Sequence, residues 1–390
     1  MQGIYRLFAM LVIAAYFAAP RTAAAGPTFV FDAKSGTVLH AENAHDLWYP
    51  ASLTKLMTAY VTFKAVRGGR LTMDSPVAIS SQALAQPPSK VGFPVGSRLT
   101  LSDALHLLIV KSANDIAVAV AETVSGSEHN FVNEMNATSR ALGMTRTQFV
   151  NPHGLPAPDQ VTTARDMGIL SRAIVQEFPE HAALFEVPAV FVGKRRLSSH
   201  NHLLGRYNGA DGMKTGFICA SGFNLVASAT QSGWRLVAVV LGQTSAIQRK
   251  EEAEKLLEAG FRKALIGISG RSVDNYLPGP AASMNPTNMR PMVCGPNRVP
   301  RPDRQLNAAD HRLSPVRVAL LPADGTVAAS NVPSPVPRPD DAPGAALFTA
   351  GAAAAPALRP STAAVDAGDV GSEQDIVPLP VPRPKRASGQ

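Results

Sequence analysis

The hydrophobic period of this chain changes twice, and the order of those periods limits the fold more than any other feature. Near the start, Thr28 to Phe31 and Thr37 to Leu39 read as two short strands around the turn cluster Asp32-Ala33-Lys34-Ser35-Gly36. From Leu53 to Val66 the apolar residues Leu56, Met57, Tyr60, Phe63 and Val66 recur every three or four positions, which predicts a helix. Further helices are expected over Leu101 to Val110, Ile116 to Val124 and Thr163 to Val175, divided by Gly- and Pro-bearing joints at 92–96 and 151–158. The extended pattern then returns at Met213 to Phe217, Phe223 to Thr230 and Arg235 to Leu241, with turn signals at Ser221-Gly222 and Ser232-Gly233. A last amphipathic helix is expected from Arg249 to about Leu265. Strands at both ends of a helical middle predict an α+β fold in which helices cover an antiparallel sheet.

Composition marks where that fold should stop. About twenty of the 32 prolines lie beyond Arg271, among Ala, Ser, Gly and Asp. Val-Pro-Arg-Pro occurs there three times, at Val299 to Pro302, Val336 to Pro339 and Val381 to Pro384. Proline at this density favours extended polyproline II pieces without a hydrogen-bonded core, so residues 271–390 are expected to be a largely disordered Pro/Ala-rich tail. Only Val316 to Leu321 reads as a strand, and one strand cannot fold alone. At the other end, Arg6, the apolar stretch Leu7 to Ala19 and the small residues Ala23-Ala24-Ala25 match an export signal, so residues 1–25 are expected to be removed. The alternative, an uncleaved anchor, needs about twenty apolar residues to span a bilayer, and this stretch is shorter. The folded domain is therefore expected over residues 26–270.

Export to an oxidising compartment allows Cys219 and Cys294 to form a disulfide, whereas two cysteines alone make no metal site. A bridge would pin the start of the tail to the strand region; one buried and one exposed free thiol is the other reading, and the sequence does not choose. The formal charge of +8 falls to about +6 without the leader arginines Arg6 and Arg21. It is spread too thinly, with no basic run and few aromatics, to indicate nucleic acid. A mild preference for an anionic polymer is all it supports. No metal or other cofactor is expected.

Three short strings carry chemistry: Ser52-Leu53-Thr54-Lys55, Ser112-Ala113-Asn114 and Lys214-Thr215-Gly216. A serine hydroxyl needs a base within hydrogen-bond reach to act as a nucleophile. On a helix, Lys55 lies one turn from Ser52, and burial beside a second cation would hold its amine neutral. Alone, Ser-x-x-Lys is weak, because a chain this long contains about one by chance and an exposed helical pair is the ordinary explanation. Ser112 to Asn114 falls in the break between two expected helices, where an asparagine is usually a cap. Lys214-Thr215-Gly216 on a strand is rarer, offering a cation and a hydroxyl to a carboxylate while the glycine admits a close backbone.

Together the strings resemble the penicillin-binding family, whose signature has the same three parts. More narrowly, Pro50 to Thr58 (PASLTKLMT), Asn151 to Leu155 (NPHGL), Thr163 to Met167 (TARDM) and Asp211 to Ala227 (DGMKTGFICASGFNLVA) are similar to low-molecular-weight D-alanyl-D-alanine carboxypeptidases. The resemblance spans roughly residues 28 to 265 and implies a β-lactamase/transpeptidase-like fold. It also implies that Ser52 is acylated, that Lys55 is its base, and that Ser112 and Asn114 relay protons and orient substrate. Lys214 and Thr215 would bind the terminal carboxylate of a peptidoglycan stem peptide, assisted by Arg249. Gly216 and Phe217 would border the substrate, the backbone N–H groups of Ser52 and Phe217 forming the oxyanion hole. β-Lactams would be trapped on the same serine, in the bacterial periplasm or cell envelope.

Two departures stand out. Many relatives continue into a small β-rich domain and end in an amphipathic helix on the inner membrane; no such pattern follows residue 270, and Pro382 to Gln390 are too short and proline-broken to form one. Membrane attachment is therefore not carried over by the resemblance, and no partner of the tail is read from its sequence. Phe217 and Cys219 also stand where relatives commonly carry polar residues, a change expected to affect the deacylating water or a drug side chain. Other readings are a D,D-endopeptidase using the same residues, a β-lactamase, for which no Glu-x-x-x-Asn loop is found after the second string, and a non-catalytic wall-binding scaffold.

Overall fold

The computed structural model describes residues 26–267, 270–277, 282–296, 298 and 313–322. All of them belong to the first of two compact units, residues 1–330 and 331–390. In chain order, β1 (Thr28–Asp32) and β2 (Val38–Glu42) form a hairpin, and a 3-10 turn over Ala51–Leu53 opens α1 (Thr54–Arg67). A ribbon of β3 (Pro76–Ala78) and β4 (Arg98–Thr100) brackets α2 (Ser81–Ala85). Next come α3 (Leu101–His106), a π-helical turn over Leu107–Lys111, α4 (Asn114–Ser125), α5 (Glu128–Ala141) and α6 (Ala164–Glu177). The hairpin of β5 (Ala189–Val192) and β6 (Arg195–Ser198) leads to β7 (Ala210–Ile218), β8 (Gly222–Gln231), β9 (Trp234–Gln243) and α7 (Ala246–Leu265). The short α8 (Arg290–Val293) and β10 (Val316–Val318) follow.

The central sheet has five strands in the order β2-β1-β9-β8-β7, and every neighbouring pair is antiparallel. The first and last thirds of the domain meet in it, with Phe29 opposite Val239 and Val30 opposite Ala238. Strand alternation sends the two sets of side chains to opposite faces, and both faces are buried. Phe29, Phe31, Val237, Val239 and Leu241 join the larger core with the helices, including Leu56, Met57 and Phe63 of α1. Val30, Leu225, Leu236 and Val240 pack against Ala253, Leu256, Leu257 and Phe261 of α7. Burial on both faces explains why β9 reads as a continuous apolar run. Each large side chain so covered contributes about 1.5 to 3 kcal/mol relative to exposure. The expected α+β sheet covered by helices is the observed architecture.

Side-chain caps fix several helix starts: Thr163 accepts from the Asp166 N–H at α6, and Ser245 accepts from the Gln248 N–H at α7. Among the described residues no helix is long and apolar enough to cross a membrane.

The packed domain does not stop at residue 270. The Val38 N–H donates to the Arg271 carbonyl and the Val273 N–H to the Gly36 carbonyl. Val273, Met289, Val293 and Val318 are buried in the larger core. Cys219 and Cys294 form a disulfide across 75 residues of sequence. Val316 to Val318 does form a strand, which pairs in parallel with β5 and so lies beside the β5–β6 hairpin. These apolar residues are too sparse to give a periodic signal, which is why composition alone placed them in a tail. The three Val-Pro-Arg-Pro segments and the leader of residues 1–25 lie outside the described residues.

Candidate active site

Ser52 sits in the 3-10 turn that opens α1, immediately after Ala51, whose backbone is left-handed at φ 48°. A non-glycine residue in that region is uncommon and is held only by its surroundings. Three contacts hold it here. Asn224 on β8 donates from Nδ2 to the Tyr49 and Pro50 carbonyls at 3.0 and 3.3 Å, while its Oδ1 accepts from the Gly242 N–H. Trp48 donates from Nε1 to the Ser221 carbonyl at 2.9 Å. Gly154, at φ 88°, lies so close that an added Cβ would come within 1.9 Å of the Ala51 carbonyl oxygen. The NPHGL loop therefore abuts the serine turn.

Lys55, on the first turn of α1, is fully buried. Its Nζ lies 3.2 Å from Ser52 Oγ, 2.8 Å from Asn114 Oδ1 and 2.7 Å from the His153 carbonyl oxygen. Asn114 is held in that orientation because its Nδ2 donates to the Pro87 carbonyl. Burial, and then the charge of Lys214, push the Lys55 amine well below the usual lysine range, against a smaller opposing pull from Asp115. Asn114, expected in the break between helices, is the first residue of α4. Ser112 is in that break, left-handed at φ 61°, and its hydroxyl accepts from Lys214 on β7.

Lys214 on β7 donates from Nζ to Ser112 Oγ and to the Thr215 carbonyl, each at 2.9 Å. Burial and the cation of Arg249 bring it down to about 7. Arg249, the fourth residue of α7 and itself buried, donates to the His200 carbonyl at 2.9 Å and the Asn224 carbonyl at 3.4 Å. Gly216 lies against the serine turn, so its missing side chain brings the strand to the nucleophile and not only to a substrate.

A cavity of about 400 Å³ opens over this cluster. Ser52, Ser112, Asn114, Thr215, Gly216, Phe217 and Arg249 line it, while Lys55 and Lys214 stand behind its wall and act through the serines they touch. The strings separated by some 160 residues of sequence thus meet at one opening. His200 and His202 also line it, and burial with nearby cations, first Lys214 for His200 and Arg249 for His202, brings each down to about 4. Sequence reasoning missed both, along with Asn224, because the chain before β7 has no periodic pattern and Asn224 looked like an ordinary strand residue.

A family model of D-alanyl-D-alanine carboxypeptidases matches residues 14–245, more than half of the chain. The chain belongs to that peptidase family. D-alanyl-D-alanine carboxypeptidase DacC of Escherichia coli is 40% identical over 240 residues, 60% of this chain and 60% of that protein. Penicillin binding protein 5 of Haemophilus influenzae shares the fold with a TM-score of 0.60 and 36% identity, over 63% of this chain and 73% of that one. A penicillin-binding protein of Listeria monocytogenes in its cefotaxime-bound form gives a TM-score of 0.56 and 31% identity, over 61% of this chain and 97% of that one. This carboxypeptidase-family chain spans about 60% of the length of the curated relatives it matches. Its fold is β-lactamase/transpeptidase-like, as the sequence resemblance implies.

Proposed function

We propose that this chain is a serine D-alanyl-D-alanine carboxypeptidase that removes the terminal D-Ala of peptidoglycan stem peptides through an acyl-enzyme on Ser52, and that β-lactams acylate the same oxygen. One observation carries the reading. Lys55 has two carbonyl-type acceptors, Asn114 Oδ1 and the His153 oxygen, so a neutral amine gives both of its hydrogens to them and turns its lone pair to Ser52 Oγ at 3.2 Å. Such an amine can only accept the serine proton.

The steps follow from that arrangement. Ser52 Oγ attacks the carbonyl carbon of the penultimate D-Ala as its proton passes to Lys55. Negative charge develops on the carbonyl oxygen and meets the backbone N–H groups of Ser52 and Phe217. The amide C–N bond then breaks while the departing nitrogen takes a proton through Ser112, whose oxygen already accepts from Lys214. Water later attacks the ester, returns a proton to Ser52 and releases the shortened peptide. The Thr215 hydroxyl and the Arg249 cation, both at the cavity wall, receive the terminal carboxylate, with Lys214 contributing its charge from behind. Export to the periplasm or envelope is part of the proposal, resting on the leader pattern and on a substrate that lies outside the cytoplasmic membrane.

The test is release of free D-Ala from a D-Ala-D-Ala pentapeptide, run beside a cross-linked dimer and a penicillin. Fast D-Ala release with slow penicilloyl hydrolysis supports the proposal. Cleavage of the dimer alone would indicate an endopeptidase, rapid drug turnover a β-lactamase, and no reaction with any of them a scaffold.

A further inference from the structure

We propose that Phe217 and Phe223 form an apolar subsite for the side chain of the departing C-terminal residue, so that the protein releases larger apolar D-amino acids in preference to D-alanine. This rests on the carboxypeptidase reading above and names its substrate class. Phe217 is 40% exposed, and it lines the cavity that also contains Ser52. It lies directly opposite Phe223 in the β7–β8 register, with ring centroids 4.3 Å apart. The exposed Phe217 ring at the wall of a catalytic cavity, backed by Phe223, offers area to an apolar ligand group.

Its location selects which group. Strand alternation puts Thr215 and Phe217 on the same side of β7, about 7 Å apart. Thr215 and Arg249 are where the terminal carboxylate is received, and the Arg249 guanidinium itself lies 5.9 Å from the Phe223 ring. The carboxylate site and the aromatic pair are therefore neighbours, as they would be for two substituents of one Cα. The remaining wall is uncharged: Ile218 and Ala246 are apolar, and His202 is a neutral imidazole at neutral pH. The methyl of D-alanine covers little of this surface, whereas the side chain of D-leucine or D-methionine reaches the rings. The bond broken is the same amide; only the departing amine differs.

The experiment compares kcat/KM for two acyl-D-Ala-D-Xaa peptides that differ only in the last residue, D-Ala or D-Leu. One extra methylene in an apolar pocket is worth about tenfold or more, so the D-Leu peptide is expected to be preferred by at least about tenfold. Phe217→Ser should bring that ratio to about one or below, and Phe217→Leu should restore part of it. Phe223→Leu, which alters the facing ring, should also lower it. Far-UV circular dichroism and the Tm of each variant report that the fold is kept. A wild-type ratio at or below one would overturn the subsite, as would a ratio that Phe217→Ser leaves unchanged. Release of neither residue by the folded protein would overturn the carboxypeptidase reading, and the subsite with it. Release of both at equal rates would overturn the subsite alone.

Discussion

Gly216 packs directly against Pro50: a Cβ added at Gly216 would lie 2.9 Å from the Pro50 carbonyl oxygen and 3.1 Å from the amide nitrogens of Ser52 and Leu53. The neighbours are backbone, held from the other side by Asn224, so they cannot swing aside as a side chain would. Gly216→Ala should therefore move the serine turn. Overpacking of this kind costs about 1 to 3 kcal/mol, and carried into the acylation barrier at about 1.4 kcal/mol per factor of ten it should lower the penicillin acylation rate constant by about fivefold to a hundredfold. Stopped-flow acylation measures it, and an unchanged rate would show that the turn tolerates the methyl group.

The charge of Lys214 is a cause of the low Lys55 pKa, second to burial. Removing that cation with Lys214→Met makes a protonated Lys55 less costly, so its pKa rises. The neutral, basic form then begins at higher pH, and the acid limb of kcat/KM should move toward alkaline pH. A pH profile of acylation checks the sign; a limb that stayed in place or moved to lower pH would mean that Lys214 does not act on Lys55 electrostatically. Activity at the optimum should also fall, because Ser112 loses the donor at 2.9 Å.

How much of this was legible depended on regular spacing. Ser52 and Lys55 could be paired because one helical turn separates them, and β7 to β9 could be drawn because turn residues punctuate their apolar runs. Nothing in the spacing gave the left-handed backbone of Ala51 and Ser112, and that of Ala51 is held by Asn224, Trp48 and the Asn151 to Leu155 loop from distant parts of the chain. Gly216 was read for its benefit to a substrate, while the closer constraint is the serine turn behind it. The β5–β6 hairpin escaped because the short apolar run of β5 faces a β6 of sequence Arg-Arg-Leu-Ser with a single apolar residue, and the buried residues beyond 270 escaped because four apolar positions at irregular intervals make no period.

The disulfide between Cys219 and Cys294 joins the β7–β8 turn to a segment that also places Met289 and Val293 in the core. In the chain-entropy account, closing a loop of this sequence separation is worth about 4 kcal/mol. A domain of this size loses about 2 to 4 °C of Tm for each kcal/mol, so the double substitution Cys219→Ser, Cys294→Ser should lower Tm by roughly 10 °C. Calorimetry of the oxidised protein against the variant measures the difference. Equal Tm values would mean that the segment is held without the bridge.

Truncation separates the part of the C-terminal region that packs from the rest. A chain ending at Pro280 lacks Met289, Val293, Cys294 and the β10 strand that pairs with β5, and should be less stable and more readily proteolysed. One ending at Pro322 keeps all of these and should release D-Ala from a soluble peptide at the full rate. Equal Tm for the two would show that the contacts made beyond residue 280 contribute nothing, and a loss of activity at Pro322 would place residues beyond it at the site.

The claim beneath all of these is that a neutral, buried Lys55 makes Ser52 the acylated oxygen, and intact mass spectrometry tests it most directly. Wild type, Ser52→Ala and Lys55→Ala are incubated with benzylpenicillin at neutral pH and weighed, and the modified peptide is mapped. One penicilloyl group on the peptide containing Ser52 is expected in the wild type, with none on either variant over the same interval. An adduct that persisted in Ser52→Ala, or one that formed on Lys55→Ala at the wild-type rate, would contradict the account.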